Sequence, residues 1–382
     1  MSENNLPPLQ TQEQQMFDAI RPYLLDPRED YPEPYYMLEF NGVPFSTLGG
    51  IQAISGQKKN GKSFVLTQLM AAVLGSDTER VKEYLPGLTI PQRTIEHLGH
   101  QPTVLYVDTE MEKLNSAKVL RRVHWLCGWD MKEPNDRLNV LWLRTIEDDP
   151  TTKEKAYQHR FRLIRYAIDS LRPDMVIIDG IRDIIGDFND NAESASLVIQ
   201  LMALAEKKGI CLWCALHMNP RPGNDDDSKM RGHLGTELGN KVTDTLVSIK
   251  RKAATGVTFT VKQQDARGKD MEDWQFEVTD AAGALGIPKI IANGTNLQTR
   301  DKEAHDWPED ILEWINQAGN VYEWPMSRSD VKRLVFGEIG KQRNKDKQEA
   351  DLKIALNMKY LEESDQKKNG HRMLQVSNQC PF

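Results

Sequence analysis

Apolar residues in this chain fall into short unbroken runs separated by segments of helical periodicity. The runs occupy 51–55, 104–107, 138–143, 175–178, 210–216 and 245–249. Continuous rather than alternating apolar character predicts parallel strands covered on both faces. Between the runs, 62–74, 114–125, 153–171 and 192–208 carry the helical pattern. Strands alternating with helices of this length predict an α/β fold on a mostly parallel sheet. Two further segments, 257–261 and 274–278, read as an antiparallel extension of that sheet.

The flanks differ from this centre. Residues 1–39 read as an arm, with one short helix near 11–24 and a stretch at 26–35 whose prolines exclude a helix. The main domain takes 40–280, and 281–306 is a connection containing Gly, Pro and Asn. Residues 307–382 form a small second domain. Helices are predicted at 309–318, 329–338 and 347–364, followed by a strand at 371–376, the order of a winged-helix domain. Ser327 stands three positions before Asp330, close to a capping box.

Composition narrows the class little: 39% hydrophobic and 27% charged residues are ordinary for a soluble protein. No apolar run approaches the roughly 20 residues needed to cross a bilayer. The polar start lacks a signal-peptide pattern, so a cytoplasmic location without membrane contact is expected. Four cysteines do not suggest a disulfide framework. Cys211 and Cys214 have CxxC spacing but sit inside an apolar run, which predicts buried strand thiols. A net charge of −7 argues against a protein that coats nucleic acid, while leaving room for a local channel.

One segment carries explicit chemistry. Gly56, Gln57, Lys58, Lys59, Asn60, Gly61, Lys62 and Ser63, followed by Phe64, fit G-x-x-x-x-G-K-[ST] between a strand and a helix. Glycines let successive backbone N–H groups turn towards phosphate oxygens, and the helix adds its positive N-terminal end. Lys62 would reach the β- and γ-phosphates of ATP, and the Ser63 hydroxyl would ligate Mg²⁺. Asp179 ends an apolar strand and is a second candidate Mg²⁺ partner, expected on the strand next to the phosphate loop. Between the two lies the strand 104–107 leading into Asp108, Thr109 and Glu110. A carboxylate at a strand's carboxyl end can polarise the attacking water, and both Glu110 and Asp108 qualify.

The order of phosphate loop, strand-Asp-Thr-Glu, apolar strand-Asp and strand-His resembles the RecA-like ATPases. Within them it is most similar to the hexameric RepA-type replicative helicases of plasmids and mobile elements. The resemblance covers about two-thirds of the chain, and it implies that Glu110 is the catalytic base and His217 the γ-phosphate sensor. It also implies that Lys229 and Arg231 contact single-stranded DNA, and that Lys262 or Arg267 reaches a neighbour's ATP site. The five-residue separation of Lys262 and Arg267 departs from the family pattern, and Lys250 and Arg251 are alternatives for the same role.

The expected protein is a Mg²⁺-dependent, DNA-stimulated ATPase assembled as a homo-oligomeric ring, a hexamer by resemblance. It would act as a replicative helicase alongside other replication or mobilisation proteins. RecA-like cores also serve ATPases that remodel nucleoprotein complexes without unwinding, and nucleotide-switched regulatory modules.

Overall fold

The structure, a computed structural model, describes residues 12–218, 230–253, 256–266, 268–293, 308–340, 345–368 and 371–377. Its organising element is a nine-stranded sheet. The parallel part uses β3 (Ile51–Gly56), β5 (Val104–Asp108), β6 (Leu138–Trp142), β7 (Met175–Asp179), β8 (Cys211–His217) and β9 (Asp244–Ala253). Three antiparallel strands extend it: β10 (Gly256–Ala266), β11 (Trp274–Thr279) and β12 (Ile287–Asn293). Spatially the order is β12-β11-β10-β9-β3-β8-β7-β5-β6. A smaller sheet joins β1 (Tyr36–Phe40), β2 (Val43–Thr47) and β4 (Leu88–Thr89).

The unbroken apolar runs have the expected cause. In β5, Val104 and Tyr106 join the core on one face of the sheet, while Leu105 and Val107 join the core on the other. β7 and β8 divide in the same way, so each strand needs apolar residues at successive positions. The first face carries α2 (Lys62–Leu74) and α5 (Lys113–Leu126), with the short α3 (Glu79–Tyr84) and α4 (Gln92–Leu98) nearby in sequence. The second carries α6 (Ala156–Leu171), α7 (Asn191–Lys208) and α8 (Gly232–Lys241). This is a three-layer RecA-like α/β fold. Among the described residues, no helix is long and apolar enough to cross a membrane.

Cys127, Cys211 and Cys214 are free and buried. Burial pushes the thiols of Cys127 and Cys211 up to about 12, so they pack as small apolar groups. Cys380 lies outside the described residues.

The ends of the chain refine the sequence reading. The arm carries α1 (Gln12–Ile20) and a 3-10 turn, Arg21–Tyr23, but Met37 and Leu38 are already fully buried in β1. Within the connection at 281–306, Ile287–Asn293 forms β12 and pairs with β11. The C-terminal unit has its own core, built from Ile311, Ile315, Val335, Phe336, Leu352 and Leu374. It contains α9 (Pro308–Val321), α10 (Arg328–Asp330, continued by a π-helical stretch Val331–Ile339) and α11 (Lys345–Asn357). Ser327 Oγ accepts the Asp330 N–H at 3.2 Å, the expected N-cap. The helix expected at 347–364 stops early. Lys359 takes a left-handed φ of 57°, after which β13 (Leu361–Lys368) pairs antiparallel with β14 (His371–Val376). Turning the chain there buries Tyr360 and Leu361 in the small core.

Candidate nucleotide site

β3 delivers the chain to the phosphate loop at the carboxyl edge of the sheet, and α2 starts at Lys62. Gly61 precedes the helix at φ +86°, and a Cβ there would lie 2.6 Å from the Phe259 ring. Both the backbone and the packing therefore require glycine at this position. The loop is pinned from outside by Ser248 of β9, whose hydroxyl donates to the Asn60 carbonyl at 2.5 Å. Gln57, Asn60 and Ser63 are half-buried, and Lys58 and Lys59 are exposed. Phe64 packs under the Arg122 guanidinium at 4.3 Å. Arg122 Nε is shared between the carbonyls of Leu285 and Gly286, each at 2.9 Å.

Lys62 is buried, and its Nζ donates to the Gly56 carbonyl at 3.2 Å. The same Nζ lies 2.9 Å from Nδ1 of His217, whose Nε2 lies 3.3 Å from Glu110 Oε2. A lysine ammonium has only donors, so Nδ1 accepts and the ring proton sits on Nε2, directed at Glu110. The hydrogen bond from His217 holds the Glu110 carboxyl below its usual range, against burial. Burial pulls Lys62 down, and the carboxylates of Asp179 and Glu110 pull it back up. Residues from three strand ends are thereby joined: Lys62, His217 and Glu110.

The two acids of the β5 segment separate clearly. Asp108 is buried, and its Oδ1 accepts the N–H groups of Glu110 and Met111, each at 2.9 Å. Its Oδ2 takes the Ser116 hydroxyl. Asp108 is occupied in shaping the turn into α5, whereas Glu110, about a third of its side chain open to solvent, stands beside His217.

Asp179 sits at the end of β7, but β7 is not adjacent to β3. β8 lies between them, so the expectation of a neighbouring strand is corrected: His217, not Asp179, ends the strand beside the phosphate loop. The sequence could not show this, because crossover order is not written in any one run. Asp179 Oδ2 accepts the Tyr106 hydroxyl at 2.6 Å. Burial pushes its carboxyl up to about 6, opposed by that hydrogen bond and by Lys62, and reinforced by Glu110 and Asp108. Among the described residues, no three His, Cys, Asp or Glu side chains form a metal cage. The Ser63 hydroxyl and the Asp179 carboxylate nevertheless suit Mg²⁺, which takes few protein oxygens and completes its shell with water and phosphate.

Gly180 holds the Glu110 turn in place. It has φ +104°, and an added Cβ would lie 2.1 Å from Thr109 Oγ1 and 2.8 Å from Glu110 Cγ. Gly180→Ala is therefore expected to displace Glu110, lowering turnover at least about tenfold with little change in nucleotide affinity. Steady-state hydrolysis beside a nucleotide titration checks it, and equal losses in both would place the damage elsewhere.

Lys262 is on β10, with Nζ 3.9 Å from Asp273. Arg267 and Lys229 lie outside the described residues. Arg231 is exposed, and its backbone N–H donates to the His217 carbonyl at 3.0 Å. Sequence reading did not single out Tyr106, which reads as a core aromatic until strand register sets it against Asp179. It also passed over Arg182 and Phe188. Phe188 packs under two guanidinium groups, those of Arg182 at 4.4 Å and Arg231 at 5.5 Å.

Strand order, phosphate loop and the surrounding acids together define a P-loop ATPase of RecA-like architecture. Residues 44–221, spanning Lys62, Glu110, Asp179 and His217, match the AAA domain family model AAA_25. Among solved structures, the chain is similar to the KaiC-like protein PH0186 from the hyperthermophilic archaeon Pyrococcus horikoshii OT3. The likeness has 12% identity and a TM-score of 0.42, and it covers 68% of this chain and 99% of that one. No curated protein matches the chain.

Proposed function

We propose that this ATPase is a Mg²⁺-dependent ring motor acting on single-stranded DNA, a replicative helicase of a plasmid, phage or integrated element. The observation that carries this reading is the short path from the phosphate site to Arg231. His217 contacts Lys62 and Glu110 through its ring, and its carbonyl accepts the Arg231 N–H. Met218 and Met230 form an antiparallel bridge, so the segment that leaves β8 returns to the same place. A change at the γ-phosphate would thus reach the segment carrying Lys229 and Arg231 through a single residue. Arg231 and Lys229 serve as phosphate contacts in the channel, and Lys262 or Arg267 completes a neighbour's site. The C-terminal unit adds a hairpin and helices suited to DNA or protein contact.

ATPase rates with and without single-stranded DNA test the motor reading, and strand displacement tests unwinding. Stimulation without displacement would favour a nucleoprotein-remodelling ATPase. Slow hydrolysis indifferent to DNA would favour a nucleotide-switched regulatory module. Neutralising Lys229 and Arg231 together should weaken single-stranded DNA binding. It should also flatten the slope of log affinity against log salt by up to about 0.7 per lost contact. Basal hydrolysis should persist. Normal binding in that variant, with binding lost on removing residues 305–382, would move the DNA contact to the C-terminal unit.

A further inference from the structure

The ends of β5 and β7 bring carboxylates close together. Burial raises the carboxyls of Asp179 and Asp183, and the charge of Glu110 raises both further. Lys62 is the buried cation beside them, and hydrolysis would spread more negative charge over the γ-phosphoryl oxygens. The chain places a second cation here. Arg182 lies three residues beyond Asp179, in the 3-10 turn Ile181–Ile184. The His217 hydrogen bond is the main cause that holds Glu110 below its usual range, and the charges of Lys62 and Arg182 act in the same direction.

The turn that carries Arg182 is fixed. Ile181 and Ile184 are buried, the Asp183 N–H donates to the Gly180 carbonyl at 2.9 Å, and Asp183 Oδ2 accepts the Thr109 hydroxyl at 2.9 Å. The Arg182 side chain is held differently. It is exposed and makes no ion pair among the described residues, and its guanidinium rests on the Phe188 ring, 4.4 Å from the centroid. Phe188 is tied to two helices: its carbonyl accepts the Leu234 N–H of α8 at 3.1 Å and the Ser194 hydroxyl of α7 at 3.3 Å. Arg231 approaches the same ring to 5.5 Å. A ring face orients a guanidinium without cancelling its charge, as a carboxylate partner would.

We infer that Arg182 serves the hydrolysis step as a cation supplied by the same chain as the phosphate loop, and that Phe188 is the positioning residue that holds it. In that step Glu110 takes a proton from water, the water oxygen bonds to the γ-phosphorus, and the bond to the bridging oxygen of ADP breaks. A guanidinium within electrostatic reach of Glu110 stabilises the charge that develops on the phosphoryl oxygens more than it stabilises bound ATP. Lys262 and Arg267 would act from a neighbouring subunit, whereas Arg182 needs no partner chain. The inference rests on Glu110 acting as the base and is independent of any action on DNA.

The test measures hydrolysis without DNA beside two affinities, for Mg²⁺-ATP and for Mg²⁺-ADP with aluminium fluoride, a mimic of the transferring phosphoryl group. Arg182→Gln should lower turnover at least about tenfold and weaken the mimic by a similar factor. Its ATP affinity should stay near wild type, which also serves as the folding control. Phe188→Leu keeps apolar bulk but removes the ring face, and should give a smaller loss of the same kind. Phe188→Tyr restores the face and should restore turnover. In an Arg182→Gln background, Phe188→Leu should cost nothing further, because the ring acts through the arginine. Normal turnover in Arg182→Gln overturns the inference, as does an equal loss of ATP and mimic affinity. A Phe188→Leu loss of the same size in both backgrounds makes the ring a packing residue and overturns its positioning role. Slow Glu110→Gln beside normal Arg182→Gln removes this inference alone, whereas Glu110→Gln at wild-type turnover removes the base reading with it.

Discussion

Lys62→Ala should lose tight nucleotide binding, with affinity for Mg²⁺-ATP falling at least about a hundredfold and hydrolysis vanishing. Lys62 is the buried cation at the phosphate loop, held between the Gly56 carbonyl and the His217 ring. Alanine removes the charge from the phosphate site and also removes the donor that fixes the His217 tautomer. The loss should therefore exceed that of one charge-assisted hydrogen bond. Titration of the purified variant with a fluorescent nucleotide measures it, and wild-type affinity there would reject the phosphate-loop assignment.

Glu110→Gln separates chemistry from binding. The amide keeps the size of the side chain, and its oxygen can still accept the His217 Nε2–H, so the local geometry survives. What is lost is the basicity, together with the negative charge felt by Lys62 and Asp179. Nucleotide should bind about as tightly as in wild type, while turnover falls by roughly 10²–10⁴, the range for losing a general base. Asp108→Asn is the informative partner. Asp108 accepts two backbone N–H groups and the Ser116 hydroxyl, so its loss should lower thermal stability through the β5–α5 turn. If Glu110→Gln keeps its turnover while Asp108→Asn loses it with an unchanged melting temperature, the base has been misassigned.

Much of this arrangement was legible in the sequence, and the reasons differ by element. Parallel strands announce themselves because burial on both faces forces apolar residues at consecutive positions, as in 104–107 and 175–178. The phosphate loop is local, so its eight residues specify it completely. What stayed hidden depends on which strands become neighbours. The insertion of β8 between β3 and β7, and the meeting of Tyr106 with Asp179, arise from crossover order and register. The early end of the helix after Asn357 was hidden for another reason. The polar run 361–368 has no clear period of its own, and pairing with β14 decides its conformation.

The two-sided character of β5 also determines which changes of length this protein can survive. Side chains alternate through the sheet there, so removing one residue ahead of Tyr106 would carry each preceding side chain to the opposite layer. Alternatively, the strand would slip against β7 and β6, breaking the pairing of Asp108 with Asp179 and Trp142. Either way the Glu110 turn would lose its alignment with His217. The exposed turn at residues 131–134 between α5 and β6 has no such constraint, since it contributes nothing to either core. Insertions, tags or reporter domains placed there should leave hydrolysis intact, whereas a single codon gained or lost in β5 should end it.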